Sequence, residues 1–259
     1  MVDITISTGV FLLASAFFAG FVDSIAGGGG LIQLPALLIG LPKSETVTVL
    51  GTNKFAAVFG TTAAAGLYRR QIKPEPKVLI AMALPAFIGS ALGATLASRI
   101  PTSSMRPLVL TLLVIVAIYT WLKPELGKFE LLRHHLKRRI QIAVIAGAVI
   151  GFYDGIFGPG TGSFLMLVLV ASFGYAFITA SAIAKVVNVS TNLGAILIFG
   201  IHGAVLWQIG LALGVANVTG AVIGSRLAIR GGSTLVRKVF LIVTVALIIK
   251  VGIDTFQSF

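Results

Sequence analysis

Apolar residues in this chain gather into long, nearly uncharged runs, and the charged residues gather in short segments between them. Segments 105–122 and 140–157 each continue for about 18 residues almost without charge, enough for a helix to cross a bilayer core. The runs predict helices over about 8–25, 31–41, 46–67, 76–98 and 105–122, then over about 140–156, 162–173, 177–199, 205–229 and 234–256. The second and seventh are too short for a ~30 Å core, which takes about 20 residues. Each is read, together with the helix before it, as a hairpin of partial-span helices whose tip lies at membrane depth.

The two series are one pattern repeated. Shifting the chain by 131 residues lays Gly20-Phe21-Val22-Asp23-Ser24-Ile25-Ala26-Gly27-Gly28-Gly29 on Gly151-Phe152-Tyr153-Asp154-Gly155-Ile156-Phe157-Gly158-Pro159-Gly160 without a gap. In the same register Lys54 falls on Lys185, Gly89 and Gly93 on Gly220 and Gly224, Arg99 on Arg230 and Arg106 on Arg237. Apolar stretches align by chance, whereas Asp, Lys and Arg matched in one register do not. The expected organisation is a first transmembrane repeat over 1–122, a connector over 123–139 and a second repeat over 140–259.

Loop charge then sets an orientation. The connector carries Lys123, Lys128, Arg133, Lys137, Arg138 and Arg139 and is expected in the cytoplasm. Segment 68–77 is basic and its repeat partner 199–208 is uncharged, while 226–238 is more basic than its own partner, which holds Arg99 and Arg106. The bias flips between halves, as in an inverted-topology repeat with both termini outside. Arg99 and Arg106 on the outer side run against that assignment. These four arginines otherwise read as interfacial anchors, and the GxxxG pairs Gly89/Gly93 and Gly220/Gly224 as close helix packing.

Composition agrees with an all-α integral membrane protein. Charged residues make up 11%, too few to cover a water-facing surface, where about 25% is usual. A net charge of +12 suggests nucleic acid in a soluble chain, but here the basic residues sit where cytoplasmic anchors facing anionic lipid belong. The lipid bilayer is therefore the expected partner and nucleic acid is not. The absence of cysteine excludes disulfides and thiolate metal sites, and His134, His135 and His202 fall in predicted loops. No metal or cofactor is expected, and an intramembrane enzyme has no Ser–His or metal-ligand spacing to work with. Residues 1–7 lack the basic n-region of a signal peptide, and the run over 8–22 recurs later, so it is read as structure.

Three sets of residues are candidates for chemistry. Gly27-Gly28-Gly29-Gly30 and Gly158-Pro159-Gly160-Thr161 break the helices, and each break is followed by a new helix N-terminus, the place where backbone N–H groups bind anions. The alternative is that small residues serve packing alone. Lys54 and Lys185 lie within apolar segments, where a lysine costs about 2.5–3.5 kcal/mol and faces a cavity or a partner. Lys185, Asn188 and Asn192 share a helix face, as do Lys54 and Thr61. The alternative for the lysines is a structural ion pair with Asp23 or Asp154. Those two aspartates, just before the breaks, pair the lysines when a site is empty, take up protons to couple transport, or hold the hairpins through backbone N–H groups.

The stretch from Gly20 through Gly27-Gly28-Gly29-Gly30-Leu31-Ile32-Gln33-Leu34-Pro35, the run Gly51-Thr52-Asn53-Lys54, and Gly151 through Phe164 together resemble the TauE/SafE sulfite exporter family. The resemblance spans essentially the whole chain and implies a bacterial inner-membrane transporter of sulfur-containing anions. By matching position it places Asp23, Gly27 to Gly30, Asn53, Lys54, Asp154, Gly158, Gly160 and Lys185 in the family's motif regions. The expected function is secondary transport, outward by the family's name, of sulfite, thiosulfate or organosulfonates. The site is expected at the midplane between the hairpins, formed by Gly27, Gly28, Gly29, Gly30, Asn53, Lys54, Gly158, Gly160, Thr161, Lys185, Asn188 and Asn192, with Asp23 and Asp154 coupling. A passive anion channel, or transport of another small organic anion, would use the same site. A homo-oligomer is compatible with the sequence.

Overall fold

The computed structural model describes residues 5–97, 99, 111, 114, 115, 117, 118, 120–122 and 127–256, and among them there is no strand. Helix α1 runs Ile6–Ala26, α2 Gly30–Gly40, α3 Thr46–Gln71 and α4 Pro76–Leu96. In the second half α5 runs Leu136–Ile156, and α6 runs Thr161–Val168 and continues as a π turn over Leu169–Phe173. Helix α7 runs Phe177–Ile201 and α8 Trp207–Phe256. The helix predicted over 105–122 lies largely outside the described residues, as do Arg106 and Lys123; the described positions within that helix are helical.

One expectation changes. The opening helices α1 and α5 have 21 residues each, about 31 Å at 1.5 Å per residue, so each is long enough to span and only α2 and α6 are short. The helices predicted over 205–229 and 234–256 are both present in α8 and meet directly at Gly232, whose φ of 61° and ψ of −163° lie outside the helical region. Among the described residues five helices are long and apolar enough to cross a membrane: α1, α4, α5, α7 and 207–246 of α8. Helix α3 is longer than α1, α4, α5 or α7, but Asn53 and Lys54 lower its hydropathy.

Local signals explain the ends. The Thr5 hydroxyl accepts the Thr8 N–H and caps α1, and Pro76 opens α4 where its missing N–H costs nothing. Gly27 ends α1 in the left-handed region at φ 79°, its N–H returning to the Asp23 carbonyl.

The halves are interleaved. Helix α1 packs along α8 and α5 along α4, so each opening helix lies against the fourth helix of the other half. Both pairs run parallel, Met82, Ala86 and Ser90 of α4 meeting Gly147, Gly151 and Gly155 of α5 in order. A Cβ at any of those three glycines, or at Gly89 and Gly93, would fall on backbone of the facing helix. Gly220 and Gly224 stand in the same relation to Phe17 and Phe21 of α1. Backbone-to-backbone approach of this kind is how helices associate where lipid removes the hydrophobic drive. Helices α3 and α7 run antiparallel through the centre, since Tyr68 meets Ser181 at one end and Gly51 meets Phe199 at the other.

The connector is largely exposed over its described residues, as expected of a loop, yet it is not loose. The Leu131 N–H bonds Gly174 O and the Arg133 N–H bonds Phe173 O, both at 2.8 Å, while Phe177 N–H bonds Gly127 O. Residues 127–133 thus lie across the turn between α6 and α7.

The interface argument makes two glycines behave oppositely. Gly151→Leu should abolish recoverable folded protein in detergent, because the side chain has only Ala86 backbone to enter. Gly66 faces open space on α3, so Gly66→Ala should raise stability by about 0.5–1 kcal/mol in a reversible unfolding titration.

Candidate functional site

The two glycine breaks meet. A Cβ on Gly27 would overlap Gly162, and the reverse is equally true, so the first turns beyond α1 and α5 are in backbone contact. The Ser163 N–H donates to Gly27 O at 3.1 Å and the Ser163 hydroxyl to Ala26 O at 3.2 Å, tying one break to the other. Within the second break Tyr153 donates to Pro159 O and Thr161 to Gly158 O. The Thr161 and Ser163 N–H groups, open donors by sequence reasoning, are therefore used inside the protein.

The charges pair across the halves. Lys54 Nζ lies 2.6 Å from Asp154 Oδ2, with both side chains 5% exposed. Lys185 Nζ lies 3.0 Å from Asp23 Oδ2 and also donates to the Asp23 carbonyl; Lys185 is fully buried and Asp23 is 20% exposed. The two bridges are equivalent under the 131-residue repeat, and each joins the third helix of one half to the opening helix of the other. Neither α1 nor α5 has a basic residue in its own last turn. Each lysine supplies the cation that the negative C-terminal end of those helices favours. Asp23 Oδ1 accepts the Gly29 N–H at 3.3 Å, which also fixes the first break. Gly158 sits at φ 92° with its Cα so near Lys54 Nζ that a Cβ would displace the ammonium.

The antiparallel register of α3 and α7 sets Lys54 level with about residue 195 of α7, ten residues from Lys185, which is roughly 15 Å of helix axis between the two backbone positions at 1.5 Å per residue. A cavity of about 40 Å³ is lined by Asp23, Gly27, Gly29, Gly30, Asn53, Lys54, Asp154, Gly158, Gly160, Thr161, Asn188 and Asn192 among others. At about 10–15 Å³ per water, it has room for roughly three waters. The expected residues come together except two: Gly28 does not line the cavity, and Lys185 is withdrawn behind Asp23.

Sequence reasoning missed Gln33 and Asn217 and gave no role to Ala57; Gly162 it placed only in the second glycine break and Thr61 only on the Lys54 face. The signal was present as lone amides in apolar runs, the intramembrane polar residue that needs a partner. Asn53 and Asn188 leave their amide oxygens without hydrogen bonds, and Gln33 leaves its amide nitrogen without one. Among the described residues no cluster of three or more His, Cys, Asp or Glu side chains could hold a metal.

A family profile described as "Sulfite exporter TauE/SafE" matches residues 12–251. A Sinorhizobium sp protein named "Probable membrane transporter protein ORF9" is 40% identical over 255 residues, which cover 98% of this chain and 96% of that one. "Probable membrane transporter protein YfcA" of Escherichia coli K12 is 36% identical over 243 residues, 93% of this chain and 88% of the relative. A "Probable membrane transporter protein" of Haemophilus influenzae is 33% identical over 253 residues, 97% of each chain. No solved structure matches.

Breaking a buried bridge strands one charge. Lys54→Met or Asp154→Asn alone should destabilise by about 3–5 kcal/mol, and the double variant should recover most of that loss. A double-mutant cycle in a reversible detergent unfolding assay checks it; additive losses would show that the bridge contributes no coupling.

Proposed function

Because the chain belongs to the sulfite exporter TauE/SafE family, we propose that this multi-pass membrane transporter carries small sulfur-containing anions, such as sulfite, thiosulfate or organosulfonates, outward across the bacterial inner membrane by secondary transport. The observation that carries the reading is the pair of exchanged Lys–Asp bridges around the cavity where the glycine breaks meet. A lysine within an apolar helix needs a permanent partner or a visiting one. Here Lys54 and Asp154 both line a polar cavity instead of being sealed in packing. The size of that cavity favours a small anion that has shed its water.

As it stands the site is neutral, with two lysines against two aspartates. An entering anion therefore competes with Asp154 for Lys54, and a proton taken up by Asp154 releases the ammonium to it. The equivalent pair, Lys185 and Asp23, offers the cavity only its carboxylate, with the ammonium buried behind it. The two breaks bring Gly27, Gly29 and Gly30 of one half to the same cavity as Gly158, Gly160 and Thr161 of the other, and Asn53, Asn188 and Asn192 add amides to its lining. The antiparallel course of the equivalent helices α3 and α7 supports an inverted repeat, with rocking of the halves opening the cavity to each side in turn. In that arrangement the basic connector is cytoplasmic and both termini are outside.

Reconstituted in liposomes, the protein should move sulfite or thiosulfate at rates that saturate with concentration, and Lys54→Ala should lower flux per folded molecule at least tenfold, in line with a lost charged hydrogen bond of about 1.5–3 kcal/mol. Flux of sulfite, thiosulfate and a sulfonate equal to that of empty vesicles would overturn the substrate assignment. Flux that rises without saturating would make the protein a channel.

A further inference from the structure

Gln33 and Asn217 form a unit that neither the repeat nor the ion pairs require. Their equivalents under the 131-residue shift are Phe164 and Ala86, so the fold has no symmetric need for an amide at either place. Asn217 Nδ2 donates to Gln33 Oε1 at 2.9 Å, with Gln33 2% exposed and Asn217 4%. That bond occupies the oxygen end of the Gln33 amide. The Nε2 end, with its two N–H donors, is buried without a partner while the side chain lines the cavity. A glutamine held this way by its oxygen end is a fixed donor.

Asn217 is itself placed with care. A Cβ at Gly60 would land on its Oδ1 and one at Gly20 on its carbonyl, so glycines of α3 and α1 clear the space that lets α8 deliver the amide to α2. Gln33 reaches the cavity from α2 and Lys54 reaches it from α3. A spherical ion can be served by the lysine alone, whereas an ion with several acceptor oxygens meets both donors.

We propose that Gln33 is a specificity-determining ligand of an oxyanion, contacting an oxygen other than the one held by Lys54, and that Asn217 is its positioning residue. This inference rests on the anion-transport reading above. Asn217→Asp is nearly isosteric but can only accept, so it turns the Gln33 amide around and points Oε1 at the anion. Gln33→Met keeps the volume and removes the donors.

The test is a thermal-shift titration of the purified full chain with sodium sulfite and sodium thiosulfate, against sodium chloride at equal ionic strength. Wild type should be stabilised by an oxyanion over chloride, and Gln33→Met and Asn217→Asp should each raise the half-saturating concentration at least tenfold, the loss of one hydrogen bond to a charged group. The double variant should bind no more weakly than Gln33→Met, because Asn217 acts through Gln33. If the Asn217→Asp substitution acted by its own charge, its effect would persist when combined with Gln33→Met, which overturns the positioning role. Gln33→Asn, which retracts the amide by one methylene, reads the same contact if Gln33→Met does not fold. Wild-type affinity in the Gln33 variants would overturn this inference alone; no response of wild type to either oxyanion would overturn the anion reading with it.

Discussion

Each opening helix of this protein ends on a cation that belongs to the other half. Lys54 on Asp154 and Lys185 on Asp23 are buried bridges in a setting where either charge alone is costly, so neither half can complete its own charge pairing without the other. The rest of the central architecture follows. For the third helix of one half to reach the end of the other's first helix, the halves have to interleave, and α1 lies on α8 while α5 lies on α4. Interleaving at that distance demands glycine at the crossings, which is why Gly147, Gly151 and Gly155 face α4 backbone and Gly220 and Gly224 face α1.

The same constraint shapes the site. Bringing two helix ends to one place leaves no room for side chains at the breaks, and Gly27 and Gly162 are in backbone contact there. What is left is a small polar cavity lined by Asp23, Lys54 and Asp154, each of them held in one of the two bridges. On the proposed reading an anion enters this cavity by taking Lys54 from Asp154, so that one bridge would serve both folding and recognition. The amides of Gln33, Asn53, Asn188 and Asn192 add a polar lining that carries no charge of its own.

Much of this was legible in the sequence because the repeat preserves charge. Asp23/Asp154 and Lys54/Lys185 stand out in apolar surroundings, and one shift aligns them all. The partner of each lysine was not legible, since Asp23 and Asp154 were equally available to both and only packing across the halves decides. Helix boundaries in α2, α3 and α7 were close, because glycine and proline punctuate them. The break between the last two helices was legible from the adjacent Gly231 and Gly232, and Gly232 takes the non-helical backbone that divides them. Lys185 was expected to face the cavity on helical spacing alone, yet its ammonium is held behind Asp23 by that residue's carboxylate and carbonyl. Asn217 was invisible because its importance depends on clearance at Gly20 and Gly60, both more than half the chain away.

The central claim is that an anion enters by competing for Lys54. It is tested most directly by the structure of the full chain determined with sulfite or thiosulfate bound. The account predicts the anion between the glycine breaks, within hydrogen-bonding distance of Lys54 Nζ, with the Lys54–Asp154 contact opened beyond its present 2.6 Å. An anion resolved elsewhere, with that bridge unchanged and the cavity unoccupied by it, would contradict the account.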